Sequence, residues 1–234
     1  MLSIENESGT CLDRTRKIQH LSIPFQASTL FYDSPFSLFL LLINVMVSGY
    51  ALFYDQKLID QLAFRPKRIL EHKEYYRMIT GGFVHGGIGH LAFNMITLFF
   101  FGPALEVILG PIRFLILFIG AELAAHALAL WMHRSSPYYS AVGASGAISG
   151  VVISFAIFYP TREIYLFLIP IGFPAWIFAS AFIVFSTIAM LKKTDPRKGG
   201  IAHEAHLGGA IGGLIMTLIL APSAFAVFLS QIGL

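Results

Sequence analysis

The sequence predicts an all-α, polytopic membrane protein built as a bundle of six transmembrane helices. Three observations predict it. Hydrophobic residues make up 56% of the 234-residue chain and charged residues only 12%, against roughly 25% charged in an ordinary soluble domain. Mean hydropathy is +0.72. The charges are also clustered: residues 34–54, 78–105, 135–161, 164–191 and 205–234 contain no Lys, Arg, Asp or Glu, and a sixth stretch, 112–133, is interrupted only by Arg113 and Glu122. About 20 apolar residues cross the hydrocarbon core, so each stretch is long enough to span it.

The elements follow in order. Residues 1–34 form a short N-terminal segment without an apolar run near Met1; Arg14, Arg16 and Lys17 ahead of the first span predict an uncleaved signal anchor. The helices are expected at 35–54, 81–102, 112–133, 144–160, 164–190 and 203–220. The longest connection is 55–79. Pro103 and Pro111 bracket the second connection, and Pro137, Pro160, Pro170 and Pro196 lie near other span ends, where a missing N–H costs least. Residues 221–234 are apolar but too short to cross again, and Pro222 predicts a kinked extension or interfacial tail. One membrane domain, 35–220, results. Cys11 is the sole cysteine, which excludes an internal disulfide, and a net charge of +3 is too small and dispersed to suggest nucleic acid as a partner.

Topology supplies the first functional argument. The second, fourth and sixth helices run in the same direction, so their N-terminal ends share one membrane face. The polar clusters sit there: His85, His90 and Asn94 on the second, Gly143-Ala-Ser145-Gly146 opening the fourth, and His203, Glu204 and His206 opening the sixth. Polar groups within membrane spans are costly and mark functional sites by default.

A serine hydroxyl is a weak nucleophile and needs a neighbouring base. For Ser145 the best base is His206, arriving from a parallel helix. Gly143, Gly146 and Gly150 on one side and Gly209 and Gly213 on the other permit close approach, and Gly209-x3-Gly213 has the spacing that lets membrane helices meet at the backbone. A developing oxyanion needs donors; the Ser145 N–H at a helix N-terminus is one, and His90 and Asn94, at i and i+4 on one face, offer two more. Each motif by itself has a bland reading: a serine bonding its own i−4 carbonyl, a packing glycine pair, histidines and an asparagine cross-linking helices. Glu204 stands two residues from His206 and points elsewhere on a helix, which favours a dyad over a triad. Metal chemistry fails on spacing, because His203-Glu-Ala-His206 places its histidines at i, i+3 instead of the i, i+4 of H-E-x-x-H. Aspartyl chemistry fails because Asp13, Asp33, Asp55, Asp60 and Asp195 all lie outside the spans.

With these residues assembled, the chain resembles the rhomboid family of intramembrane serine proteases from about residue 35 to 220. The matching pieces are His85-x4-His90-x3-Asn94, Gly143-Ala-Ser145-Gly146, and Ala205-His206 followed by Gly209 and Gly213. The resemblance implies Ser145 as nucleophile, His206 as base, and an oxyanion hole of His90, Asn94 and the Ser145 N–H. It implies transmembrane protein substrates within a lipid bilayer, no cofactor and no metal. It further implies a water-filled cavity opening to the extracytoplasmic side of a multi-pass protein, expected in a bacterial inner (plasma) membrane. Tyr76-Arg77 resembles the family's Trp-Arg in the first loop, and Gly102-x3-Glu106-x3-Gly110 the turn after the second helix. His85 resembles a scaffold residue, and Phe93 a residue lining the substrate entrance beside a mobile fifth helix.

There are departures. Family members often carry an aromatic four residues after the nucleophile, packing on the histidine; here that residue is Ser149, and slower turnover is expected. Glu122 and His126, at i, i+4 in the third helix, lie outside the family pattern and read as a mutually satisfied buried pair. With the N-terminus inside, only Arg14, Arg16, Lys17, Arg113 and Arg162 are cytoplasmic, so charge counting favours the inverted orientation. The resemblance favours the first orientation, with the charges of the long loop serving structure. Two rival functions are a catalytically inactive rhomboid-like protein that binds membrane clients, although such relatives usually lack the serine or histidine, and a transporter, although no internal repeat is visible.

Overall fold

The computed structural model describes residues 32–165, 171–191 and 202–233. Arg14, Arg16, Lys17, Cys11, Pro170, Asp195 and Pro196 lie outside the described residues. The long helices are α1 (Pro35–Phe53), α5 (Ile88–Leu109), α6 (Pro111–His133), α7 (Ser145–Phe158), α8 (Ala175–Leu191) and α9 (His203–Leu220). Short helices α2 (Lys57–Leu62), α3 (Pro66–His72) and α4 (Arg77–Thr80) fill the first connection, and α10 (Ala224–Gln231) follows the break at Ala221. Of these, α1, α5, α6 and α9 are long and apolar enough to cross a membrane, while α7 and α8 have 14 and 17 residues.

Helix α7 is the axis of the bundle: twelve of its fourteen residues are buried. It packs against α5, α6, α8 and α9, and α9 packs most extensively against α6 and α7. The core runs from Leu98 and Leu105 of α5 through Phe114, Leu117 and Phe118 of α6 to Val151 and Phe158 of α7. Large apolar side chains remain exposed on the outer faces, among them Leu42, Met46 and Phe53 of α1 and Ile211, Ile215 and Ile219 of α9. That is the pattern of helices solvated by lipid.

Three boundaries depart from expectation. The second helix starts at Ile88 and not at 81. Residues 81–83 form a single 3-10 turn and 84–87 a connector, because four glycines among residues 81–87 carry the lowest helix propensity after proline. Pro103 does not end that helix, which runs on to Leu109 with Pro103 inside it. Continuing places Leu105, Ile108 and Leu109 in the core, a gain that outweighs the roughly 3 kcal/mol cost of an interior proline. Gly110 then ends α5 and opens α6 at φ +82°, a left-handed conformation that favours glycine. Finally, the residues at the start of the expected fifth helix are not helical where they are described: Glu163–Tyr165 (β1) and Gly172–Pro174 (β2) pair antiparallel, with Ile164 opposite Phe173. Pro174 ends β2, and the fifth long helix begins only after it.

The first connection is held together internally by polar bonds. The Arg77 guanidinium is buried and donates to the carbonyls of Asp60 at 2.9 Å and Ala63 at 2.8 Å and to Glu74 Oε2 at 2.5 Å. Arg68 also pairs with Glu74, and Arg65 with Asp60. Hydrogen bonds from Arg68 and then Arg77 hold the Glu74 carboxyl at about 2, well below the usual carboxylate range. At the other end of the bundle, Glu106 accepts the N–H groups of Phe36 at 2.9 Å and Ser37 at 2.7 Å, and the Ser37 hydroxyl at 2.7 Å. It thereby satisfies the open N-terminal donors of α1.

Candidate functional site

Helix α7 opens on Ser145, preceded by Gly143 at φ +108°. A side chain at 143 is disfavoured by that backbone conformation, and a Cβ there would stand 2.7 Å from His90 Nε2, so the exposed imidazole would have to turn aside. The Gly143 N–H donates to Gly81 O at 2.9 Å, and a bridge between Phe64 and Ala141 holds the approach to this turn. His85 ties three elements together. Its Nε2 faces two donors, Asn94 Nδ2 at 2.9 Å and the Ala144 N–H at 3.4 Å, so Nε2 is the bare nitrogen. Its Nδ1–H then donates to Ser48 Oγ at 2.8 Å, and that hydroxyl donates to Phe83 O at 3.1 Å. Because an amide nitrogen carries two hydrogens, Asn94 keeps a second donor beyond the one given to His85. His90 is exposed, its ring edge-to-face with His85 at 5.1 Å.

His206 Nε2 lies 2.9 Å from Ser145 Oγ. Both side chains are half-buried, and the backbones beneath them nearly touch. A Cβ on Gly209 would meet the Gly146 carbonyl carbon at 2.7 Å, and one on Gly213 would meet Gly150 O at 2.5 Å. Gly208 and Gly212 form a second stripe facing α6, where a Cβ on Gly208 would meet Ala124 O at 2.9 Å. Small residues on two faces of α9 thus set its depth against α7 and α6 together, and the Ser145–His206 distance follows from that.

The acids are placed differently from the sequence expectation in one case. Glu122 and His126 are neighbours, 3.5 Å apart, but they do not satisfy each other. His126 Nδ1–H donates to Met78 O at 2.8 Å and its ring stacks on Phe64 at 4.3 Å. Glu122 Oε2 accepts the Ala147 N–H at 2.9 Å, while Oε1 has no hydrogen-bond partner among the described residues. The open N–H groups at the start of α7 compete for that carboxylate, and a helix N-terminus favours an anion. Glu204 points away from His206: it accepts His133 Nε2–H at 3.1 Å and the Tyr139 hydroxyl. Burial, and then the Glu204 carboxylate, push the Tyr139 hydroxyl pKa up, so it stays a donor. Tyr139 also stacks on His133 at 3.8 Å, so the loop before Ser145 is fastened to the end of α6 by that ring and, through Glu204, to the helix that carries His206.

Of the remaining residues singled out in the sequence, Arg77 and Glu106 hold the first connection and α1 as described. Phe93 is 71% exposed on α5. Among the described residues no three His, Cys, Asp or Glu side chains group as metal ligands. Sequence reasoning missed three contributors: Glu122 as the cap of α7, the Gly208/Gly212 face, and Phe182 of α8, whose ring lies 5.9 Å from that of His206. The second glycine pair was legible from its i, i+4 spacing. The other two depend on contacts between helices, which no spacing encodes.

Comparison with known proteins finds relatives over most of the chain. Residues 72–223 match the Rhomboid domain. Over 194 residues the chain is 29% identical to "Rhomboid protein 1, mitochondrial" of Saccharomyces cerevisiae, covering 80% of this chain and 54% of that protein. It is 29% identical over 147 residues to "Putative rhomboid protease YdcA" of Bacillus subtilis, 62% of this chain and 67% of that one. It is 30% identical over 152 residues to "Rhomboid protease GluP" of the same organism, 65% of this chain and 27% of that one. The match thus spans about half the length of the yeast relative and a smaller part of GluP.

Proposed function

The chain belongs to the rhomboid family, and from that premise we propose that it is an intramembrane serine endopeptidase acting through the Ser145–His206 dyad. The observation that carries the proposal is the 2.9 Å separation of His206 Nε2 and Ser145 Oγ, inside the range a general base requires. His206 Nε2 takes the Ser145 proton as Oγ attacks the scissile carbonyl. The negative charge gathers on the carbonyl oxygen, for which we assign the Ser145 N–H, the second Asn94 amide hydrogen and His90 as donors. Each such donor is worth roughly 3–4 kcal/mol in the transition state. His206 then returns the proton to the leaving nitrogen, the C–N bond breaks and an acyl-enzyme remains. Water, deprotonated by the same imidazole, hydrolyses it. Substrates are transmembrane segments of other proteins, whose helix must unwind locally to present a carbonyl.

The bundle is read as six-spanning. Helices α7 and α8 are shorter than about 20 residues, but α7 is enclosed by its neighbours and has no lipid thickness to match. The site is read as opening to the extracytoplasmic side. The basic residues of the first connection that contradict this by charge counting include Arg65, Arg68 and Arg77, each paired with an acid. Arg68 and Arg77 share Glu74 and Arg65 takes Asp60, so these side chains serve the structure of the loop. Cysteine accessibility at 55–79 tests sidedness, and fractionation tests whether the host membrane is a bacterial inner membrane or, as the yeast relative's name has it, mitochondrial.

The decisive experiment is cleavage of a single-span test substrate in detergent. Ser145→Ala and His206→Ala each abolish cleavage in folded protein, and a serine-reactive fluorophosphonate labels the parent but not Ser145→Ala. Alanine variants as active as the parent overturn the dyad; a folded parent that neither cleaves nor labels supports the inactive, client-binding alternative.

A further inference from the structure

Four rings meet where α8 lies against the first turn of α9. Phe182 is tilted over His206, with centroids 5.9 Å and planes 31° apart. Phe185 stands edge-to-face on His203 at 5.6 Å, and His203 edge-to-face on His206 at 5.9 Å. These separations fall in the range of favourable ring pairs. Phe182 and Phe185 are three residues apart, as are His203 and His206, so each pair occupies one face of its helix. The order is reversed between them, 182 against 206 and 185 against 203, so the two helices present a matched two-rung ladder.

Helix α7 provides no ring of this kind. Ser149, one turn below Ser145, donates its hydroxyl to the Ser145 carbonyl at 2.6 Å and is bound to its own helix. Nor is His203 held by a polar bond at Nδ1, which is buried without a hydrogen-bond partner among the described residues. Beside the bond of His206 to Ser145 Oγ, the ring contacts on these histidines come from α8 and from each other. That helix is lightly held: only Ala175, Ala179 and Ser186 are buried, against twelve residues of α7.

We infer that Phe182 is a positioning residue for His206, taking over from outside the dyad helices the role that Ser149 cannot fill, so that the orientation of the base depends on how α8 is seated. The inference rests on reading Ser145 and His206 as the dyad. Displacing α8 removes the ring from His206 and frees the imidazole to rotate away from Ser145 Oγ. Chemistry then proceeds when α8 is seated.

The test separates kcat from KM in the full-length protein with the single-span substrate. Phe182→Ala lowers kcat about tenfold, less than the roughly 100-fold that a 1 Å misplacement of reacting groups costs, and leaves KM within about twofold of the parent. Adding Ser149→Phe to Phe182→Ala restores most of the lost kcat, because a ring rising from α7 then covers the imidazole. A parental kcat in Phe182→Ala overturns the inference. So does a loss confined to KM, which marks a substrate contact, and so does a double variant as slow as the single one. If Phe182→Ala does not stay folded, Phe182→Leu keeps most of the volume without the flat ring, and its kcat is read the same way. Failure of the dyad itself is seen separately, as cleavage by Ser145→Ala.

Discussion

Gly209→Ala is the perturbation in which packing and catalysis are most directly linked. The new methyl carbon would stand 2.7 Å from the Gly146 carbonyl carbon, where non-bonded carbons ordinarily approach to about 3.5–4.0 Å. The obstacle is backbone on both sides, so no side chain can turn aside, and α9 must move from α7 by about 1 Å to relieve the contact. His206 lies one turn from residue 209 and moves with it. A dyad distance of 2.9 Å then lengthens to nearly 4 Å, outside the roughly 2.6–3.2 Å reach of a general base. Overpacking of this kind costs about 1–3 kcal/mol of stability, and the misplacement costs about 100-fold in rate. The assay is kcat on the single-span substrate beside thermal unfolding in detergent. Gly49→Ala on α1 is the control, since a Cβ there meets nothing within 4 Å. A Gly209→Ala protein with parental kcat would refute the claim that the glycine contact sets the dyad distance.

Other consequences follow from the acids around the site. Glu122→Ala leaves the buried Ala147 N–H without its 2.9 Å acceptor and lowers stability by about 1–3 kcal/mol; Glu122→Gln retains a carbonyl acceptor and loses less, which thermal melting distinguishes. Glu74, held at about 2 by Arg68 and Arg77 against an ordinary 4.5, contributes stability that is present above the ordinary value and lost as pH falls toward 2. The parent melting temperature therefore drops between pH 6 and pH 3 by more than that of Glu74→Gln, and equal drops would remove Glu74 from the account. Tyr139→Phe releases the loop before Ser145 from Glu204 and lowers kcat with little change in KM, as steady-state kinetics on the same substrate would show.

The helical membrane character and the polar residues at three helix starts were legible in the sequence because both depend on local composition. An apolar run long enough to span, and a histidine or serine placed within one, carry their meaning without knowledge of neighbours. The close pairing of α7 and α9 was legible for the same reason, since Gly209 and Gly213 repeat at helical spacing on the face that holds His206. Boundaries set by competition were not. Pro103 was expected to end a helix whose continuation is favoured by burying Leu105 and Leu109. The span expected from residue 164 instead holds the paired strands Glu163–Tyr165 and Gly172–Pro174 ahead of its helix.

What the tertiary structure alone decided is which partner each buried polar group takes. Glu122 and His126, one helical turn apart, suggested a pair; the fold gives Glu122 to the start of α7 and His126 to Met78. Ser149 suggested a histidine left without aromatic cover, and the fold brings Phe182 from another helix to that place. The sequence by itself determined the residue types and the faces on which they stand, because helical periodicity is local. The partners depend on how helices far apart in the chain settle against one another, and only their packing decides that.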